Sequence, residues 1–205
     1  MNIISNCCAG GYIYRDFLKI KYPNPFIWCK INFIDYYILM QNYKTINFEN
    51  VIPIRFKDYV QRKNCLDLTE HQYNTNVGLM VDDKIKIFWP HNYFSPNDKT
   101  PRIQDCLVFT DKNWIYTLDN WNKRLIRSDI KDNPTWVILT QQNKQFTIEN
   151  TTKLLNDFPN EKIIIFTSFR ELLSLTTAHH KIYFNRDVER NPNLILHETH
   201  FSLDF

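Results

Sequence analysis

The last third of the chain constrains the fold more than any other part. Trp136-Val137-Ile138-Leu139-Thr140 is a continuous apolar run closed by a hydroxyl. Lys162-Ile163-Ile164-Ile165-Phe166-Thr167 repeats that pattern, and Lys181-Ile182-Tyr183-Phe184 adds a third, shorter segment. Apolar runs without polar alternation suit strands covered on both faces. Between the first two, residues 147–158 place Leu154, Leu155 and Phe158 at helical spacing, and a short helical stretch over 170–175 precedes the third. Strand, helix, strand, helix, strand is the order of a parallel sheet with helical crossovers. The expected fold is therefore α/β: a single domain over residues 1–205, with a largely parallel sheet and helices on both faces.

The N-terminus fits the same scheme. Ile3-Ile4-Ser5-Asn6-Cys7-Cys8-Ala9-Gly10-Gly11 reads as a short strand, over 2–5, and a small-residue turn, with a helix from Tyr12. The chain holds only three glycines, so an adjacent pair points to positive φ or to close backbone approach. Pro23 and Pro25 make an extended connection. Residues 33–43 have helical spacing, 51–60 suggest a strand, and 113–127 suggest a helix. Residues 77–89 read as an inserted β-hairpin turning at Asp82-Asp83.

Composition narrows the function classes. An apolar fraction of 43% with 15% aromatic residues supports a true core. A net charge of +3 makes no nucleic-acid footprint, and no nucleic-acid partner is expected. The five cysteines are odd in number and form no C-x-x-C pair, so neither a disulfide framework nor a structural zinc site is indicated. His179-His180 and His197-x-x-His200 lack an HExxH setting, and no metal is expected. No run of about 18 apolar residues marks a transmembrane segment. With no basic-then-apolar leader evident, a cytoplasmic location is the expectation.

Ligands of open α/β sheets collect beyond the carboxyl ends of the strands. Those ends carry Ser5-Asn6-Cys7-Cys8, Thr140-Gln141-Gln142, Thr167-Ser168 with Arg170, and Asn185-Arg186-Asp187. Hydroxyls, amides and guanidinium groups suit a sugar or a phosphate-bearing sugar. Backbone N–H groups at Gly10 and Gly11 would face an anion or oxyanion. Ser5 and Asn6 are candidate substrate-binding residues. Cys8 is the candidate nucleophile, because a thiol at a helix start has a lowered pKa. His91, where a strand leaves the sheet, is its candidate base. In Trp121-x-x-Arg124-x-x-Arg127, three-residue spacing on a helix places Arg124 and Arg127 as a candidate anion clamp.

These residues resemble an uncharacterised bacterial family of exopolysaccharide and capsule biosynthesis proteins. Its opening, of I-S-N-N-C-W-G-G type, is similar to Ile4-Ser5-Asn6-Cys7-Cys8-Ala9-Gly10-Gly11. A Tyr-x-x-Pro-Phe element is similar to Tyr22-Pro23-Asn24-Pro25-Phe26, with approximate spacing. His91 and the Trp121, Arg124, Arg127 helix complete a likeness over roughly residues 3 to 127. Cys7 stands where that family has Asn, and Ala9 where it has Trp, so Cys8 is the family-like cysteine. More loosely, the chain resembles putative papain-like cysteine peptidases, which share the Ser…Cys turn, a Pro-Phe element and an Arg-rich helix. The resemblance implies surface-glycan biosynthesis or modification by a glycosyl- or acyl-group transferase. Its partner would be a sugar, nucleotide-sugar or acyl-donor small molecule, and the cofactor is left unknown. The alternatives are a thiol hydrolase or acyltransferase using Cys8 and His91, and a non-catalytic glycan-binding assembly protein.

Overall fold

A computed structural model describes residues 2–7, 9–20, 24–27, 29–55, 77–88, 111–140 and 145–186. In chain order the elements are β1 (Ile3–Ser5), α1 (Ala9–Tyr12) running into a π-helical stretch (Ile13–Leu18), β2 (Lys30–Ile31) and α2 (Phe33–Asn42). Then come β3 (Val51–Arg55), β4 (Val77–Val81), β5 (Ile85–Phe88) and α3 (Asp111–Arg127). The chain continues through β6 (Thr135–Leu139), α4 (Ile148–Asp157), β7 (Lys162–Thr167), a 3-10 helix (Arg170–Leu175) and β8 (His180–Phe184).

The four strands expected to share a parallel sheet do so, in the order β1-β6-β7-β8. Side chains alternate between its two faces. Ile4, Trp136, Ile138, Ile163, Ile165 and Ile182 form one face, in a core with Tyr36 and Leu39 of α2, Trp121 of α3 and Leu154 of α4. Ile3, Val137, Leu139, Ile164 and Phe166 form the other, against Ile13, Tyr14 and Ile27. Both faces are thus covered, which is why β6 and β7 could be written as unbroken apolar runs. Thr147 starts α4 as its N-cap, accepting from Asn150 N. Among the described residues no helix is long and apolar enough to cross a membrane.

The expected hairpin is present as β4–β5, turning through Asp82 and Asp83, both at φ 52°. It forms the middle of a second, antiparallel sheet ordered β2-β5-β4-β3. Two residues of β2 were too few to leave a sequence signal. β3 was expected over 51–60; its described part is Val51–Arg55, and residues 56–60 lie outside the described residues. Pro53 is tolerated because, among the described residues, β3 is an edge strand paired with β4 alone. Leu79, Val81, Ile85 and Ile87 enter the same core as the parallel sheet. The Asp35 carboxylate joins α2 to the hairpin by accepting from Lys86 N at 2.8 Å. Burial pushes that carboxyl above its ordinary 3.8, against the pull of the Lys86 amide and ammonium.

The glycine pair requires a correction. Helix α1 begins at Ala9, so Gly10 and Gly11 are buried residues within it and not a preceding turn, and no described glycine has positive φ. The close approach exists at Gly10, but toward a side chain. A Cβ added there would sit 2.8 Å from Ser5 Cβ and 3.4 Å from Ile3 Cγ2. Both Cβ positions are fixed to backbone, so α1 can lie on β1 only because Gly10 has no side chain. Alanine in a helix gains about 1 kcal/mol over glycine. Overpacking a core costs about 1–3 kcal/mol, and the 2.8 Å contact puts Gly10→Ala on the losing side. Chemical denaturation should therefore show Gly10→Ala destabilised, and Ser5→Gly in the same chain should recover part of the loss. An Ala variant as stable as the parent would mean that the helix–strand spacing is not set at this residue.

Candidate functional site

Strand β1 has only three residues, and its carboxyl end is densely hydrogen-bonded. Asn6 extends it by using its side chain as a fourth strand residue. Its Nδ2 donates to Leu139 O at 3.2 Å and its Oδ1 accepts from Leu139 N at 2.9 Å. Its backbone N donates to Val137 O at 3.1 Å, and its O accepts from Ile31 N at 2.9 Å. Ser5 Oγ accepts from Cys7 N at 3.3 Å, and Cys7 Sγ lies 3.5 Å from Ala9 N, which donates to it at the start of α1. Ser5, Asn6 and Cys7 are all buried.

The outer edge of β1 is closed by residues that sequence reasoning did not select. Tyr14 OH accepts from Ile3 N at 2.8 Å. Asn24 Nδ2 donates to Ile3 O at 2.8 Å and to Tyr14 OH at 3.1 Å, while Asn24 Oδ1 accepts from Phe26 N. Tyr36 OH reaches Ile4 O at 2.9 Å and Val137 O at 3.2 Å from the other face. Burial pushes the Tyr14 phenol up to about 12. Burial, with the Cys7 thiol nearby, holds Tyr36 well above the usual value of 10.0. Both phenols stay neutral at physiological pH. The available clue was an asparagine between two prolines, a polar residue in a segment too rigid to leave it unused.

Beside Asn6, the carboxyl ends of β6 and β7 meet through Thr140 Oγ1 and Thr167 Oγ1, 3.0 Å apart and both buried. Thr167 Oγ1 also accepts from Phe169 N. Among the predicted residues, Ser5, Asn6 and Gly10 are therefore brought together, with Gly11 one residue along α1. Cys8 and His91 lie outside the described residues, as do Gln141, Gln142 and Asp187. Arg124 and Arg127 part company. Arg124 is 5% exposed beside the buried Trp121, whose Nε1 donates to Phe48 O, whereas Arg127 is exposed. Three residues turn a helix by about 300°, and the edge of the buried stripe of α3 falls between the two guanidinium groups. Arg170, at the exit of β7, lies over the Phe184 ring at 5.2 Å.

The opposite, amino edge of the sheet holds His180, whose Nε2 lies 3.0 Å from Phe158 O. Burial pushes this imidazole below its ordinary 6.5, helped by His179 and opposed by the Phe158 carbonyl. Among the described residues no group of three or more His, Cys, Asp or Glu is placed to hold a metal ion. An open hollow of about 590 Å³ lies on the same side, lined by Tyr43, Lys44, Phe158 and Glu161 among others. No protein-family model, no curated protein and no solved structure matches the chain.

Two outcomes test this geometry. Asn6→Asp keeps an acceptor for Leu139 N but sets a second oxygen against Leu139 O. Leaving one buried polar group unmatched costs about 1–3 kcal/mol, and a charge adds to it. Urea melts should show Asn6→Asp less stable than the parent at neutral pH; unchanged stability would remove Asn6 as the splice between β1 and β6. For His180, the unfolded chain takes up a proton near 6.5 and the folded chain only at lower pH, so the unfolded state binds more protons between those values. Stability should fall as pH drops through that window, and thermal melts of His180→Gln should show a shallower fall. An unchanged slope would assign the titration elsewhere.

Proposed function

We propose that the chain is an enzyme of surface-glycan biosynthesis or modification, a glycosyl- or acyl-group transferase working at the carboxyl edge of the parallel sheet. The observation that carries this reading is the fixed polar end of β1. Ser5, Asn6, Thr140 and Thr167 are buried and spend their polar atoms on the backbone and on one another, so they brace the frame of the site, with α1 starting just beyond, and do not themselves touch the substrate. Sites built on rigid elements hold small polar ligands with the least loss of entropy. The likeness to exopolysaccharide and capsule proteins supplies the substrate class, a sugar, nucleotide sugar or acyl donor.

A thiol hydrolase or acyltransferase is the second reading. It rests on the position of Cys8 in the sequence, between buried Cys7 and Ala9, the first residue of α1. Cys7 and Cys29 are 2% and 1% exposed, which sets both apart from a thiol that meets substrate. A thermal-shift screen of nucleotide sugars and acyl-coenzyme A, run beside alkylation at mildly acidic pH, separates the two readings. Stabilisation by a nucleotide sugar with slow alkylation everywhere supports sugar transfer. Selective labelling of Cys8, ahead of Cys7 and Cys29 and blocked by an acyl donor, supports the thiol mechanism. No stabilisation by any donor together with uniform protection of the cysteines would sink both.

A further inference from the structure

The hollow at the amino edge has a chemistry of its own, independent of the carboxyl-edge reading. Helices α2 and α4, ten residues each, end beside it at Asn42 and Asp157, so their last turns bring two negative dipole ends to one place. One wall is the Glu161 carboxylate. The indole of fully buried Trp136 donates to its Oε2 at 3.1 Å, which fixes the group, and no Lys or Arg among the described residues forms an ion pair with it. The Tyr43 ring packs edge-on against the same Trp136 at 5.5 Å, so tyrosine, tryptophan and carboxylate form one rigid assembly. Phe158 supplies a second aromatic surface, itself braced by Tyr37 at 5.2 Å. Aromatic faces and an anchored carboxylate attract a cation together, while neither favours an anion. One ammonium already uses this setting: Lys44 Nζ lies 5.6 Å from the centroid of the Tyr43 ring.

We infer that this hollow is a binding site for a small organic ammonium ion, seated between the Glu161 carboxylate and the rings of Tyr43 and Phe158. At about 590 Å³ it falls in the size range of small-molecule sites and has room for a diamine. Lys44 is a tethered competitor for the Tyr43 ring. Because Trp136 orients the carboxylate from within the core, Glu161→Gln retains an acceptor for the indole and changes only the charge.

Isothermal titration of the whole chain with putrescine tests the site, with 1,4-butanediol as the neutral control of similar shape. Putrescine should bind and the diol should not. Glu161→Gln, its fold checked by its melting curve, should weaken putrescine by about tenfold or more, the loss expected for one charge-assisted contact. Lys44→Ala should bind at least as tightly as the parent, since it removes the competing ammonium. Equal binding of the diol, an unchanged constant in Glu161→Gln, or no heat with putrescine up to about 10 mM, where affinity falls below a useful range, would each overturn the inference. Weaker binding in Lys44→Ala would likewise overturn it, by making Lys44 a contact and not a rival.

Discussion

The amide of Asn6 against the backbone of Leu139 is the bond on which the arrangement of the N-terminal half depends. A three-residue strand at a sheet edge has little pairing of its own, and two well-placed amide bonds from a side chain lengthen it by one residue. The same asparagine accepts from Ile31 N, which ties the first strand to the start of the second sheet. Its position therefore registers three things at once: β1 on β6, β2 beside β1, and α1 at the strand end. Each of these bonds is buried, where an unmatched partner is costly, so the geometry has few alternatives.

Aromatic contacts then join α2, α3 and the connecting segments within the core that the two sheets share. Phe26 meets Phe48 at 5.7 Å and Trp121 at 5.5 Å, and Tyr36 meets Trp136 at 5.7 Å, all edge-on. Edge-to-face pairs add about 0.5–1.5 kcal/mol beyond area burial and fix ring orientation. Trp121 and Trp136 each also commit their N–H, to Phe48 O and to Glu161 Oε2. Much of the aromatic content is thus core structure.

What was legible in the sequence follows from how each element gets its stability. β6 and β7 are buried on both faces, and their composition says so without any partner being known. Helix α4 carries its own N-cap and a local apolar stripe, and its limits could be placed within a residue or two. By contrast, β2 exists only because β5 and Asn6 are there to bond it, which no local pattern encodes. The glycine pair carried a real signal, close approach, but tightness against a neighbouring strand and positive φ look the same in a sequence. Arg124 and Arg127 show the same limit. Spacing gives an angle around the helix axis, while the line between buried and exposed comes from what packs on α3.

Parallel architecture also gives the two edges of the main sheet opposite electrical character. β1, β6 and β7 each lead into a helix, so helix N-termini gather at the carboxyl edge, and α4 brings its C-terminus to the amino edge. Helix α1 begins directly after β1, and α4 begins after β6 and ends before β7. Helix α2 obeys the same polarity although it belongs to the inserted segment: Phe33 N, at its start, donates to Gln145 just ahead of α4, and its end lies with Phe158. The side chains follow the field. Uncharged, buried donors and acceptors such as Asn6, Thr140 and Thr167 occupy the carboxyl edge, where helix N-termini favour negative charge. A fixed carboxylate and aromatic rings occupy the amino edge, where a cation is favoured. Ligands of opposite charge would then address opposite ends of one rigid sheet, without competing for a single cleft.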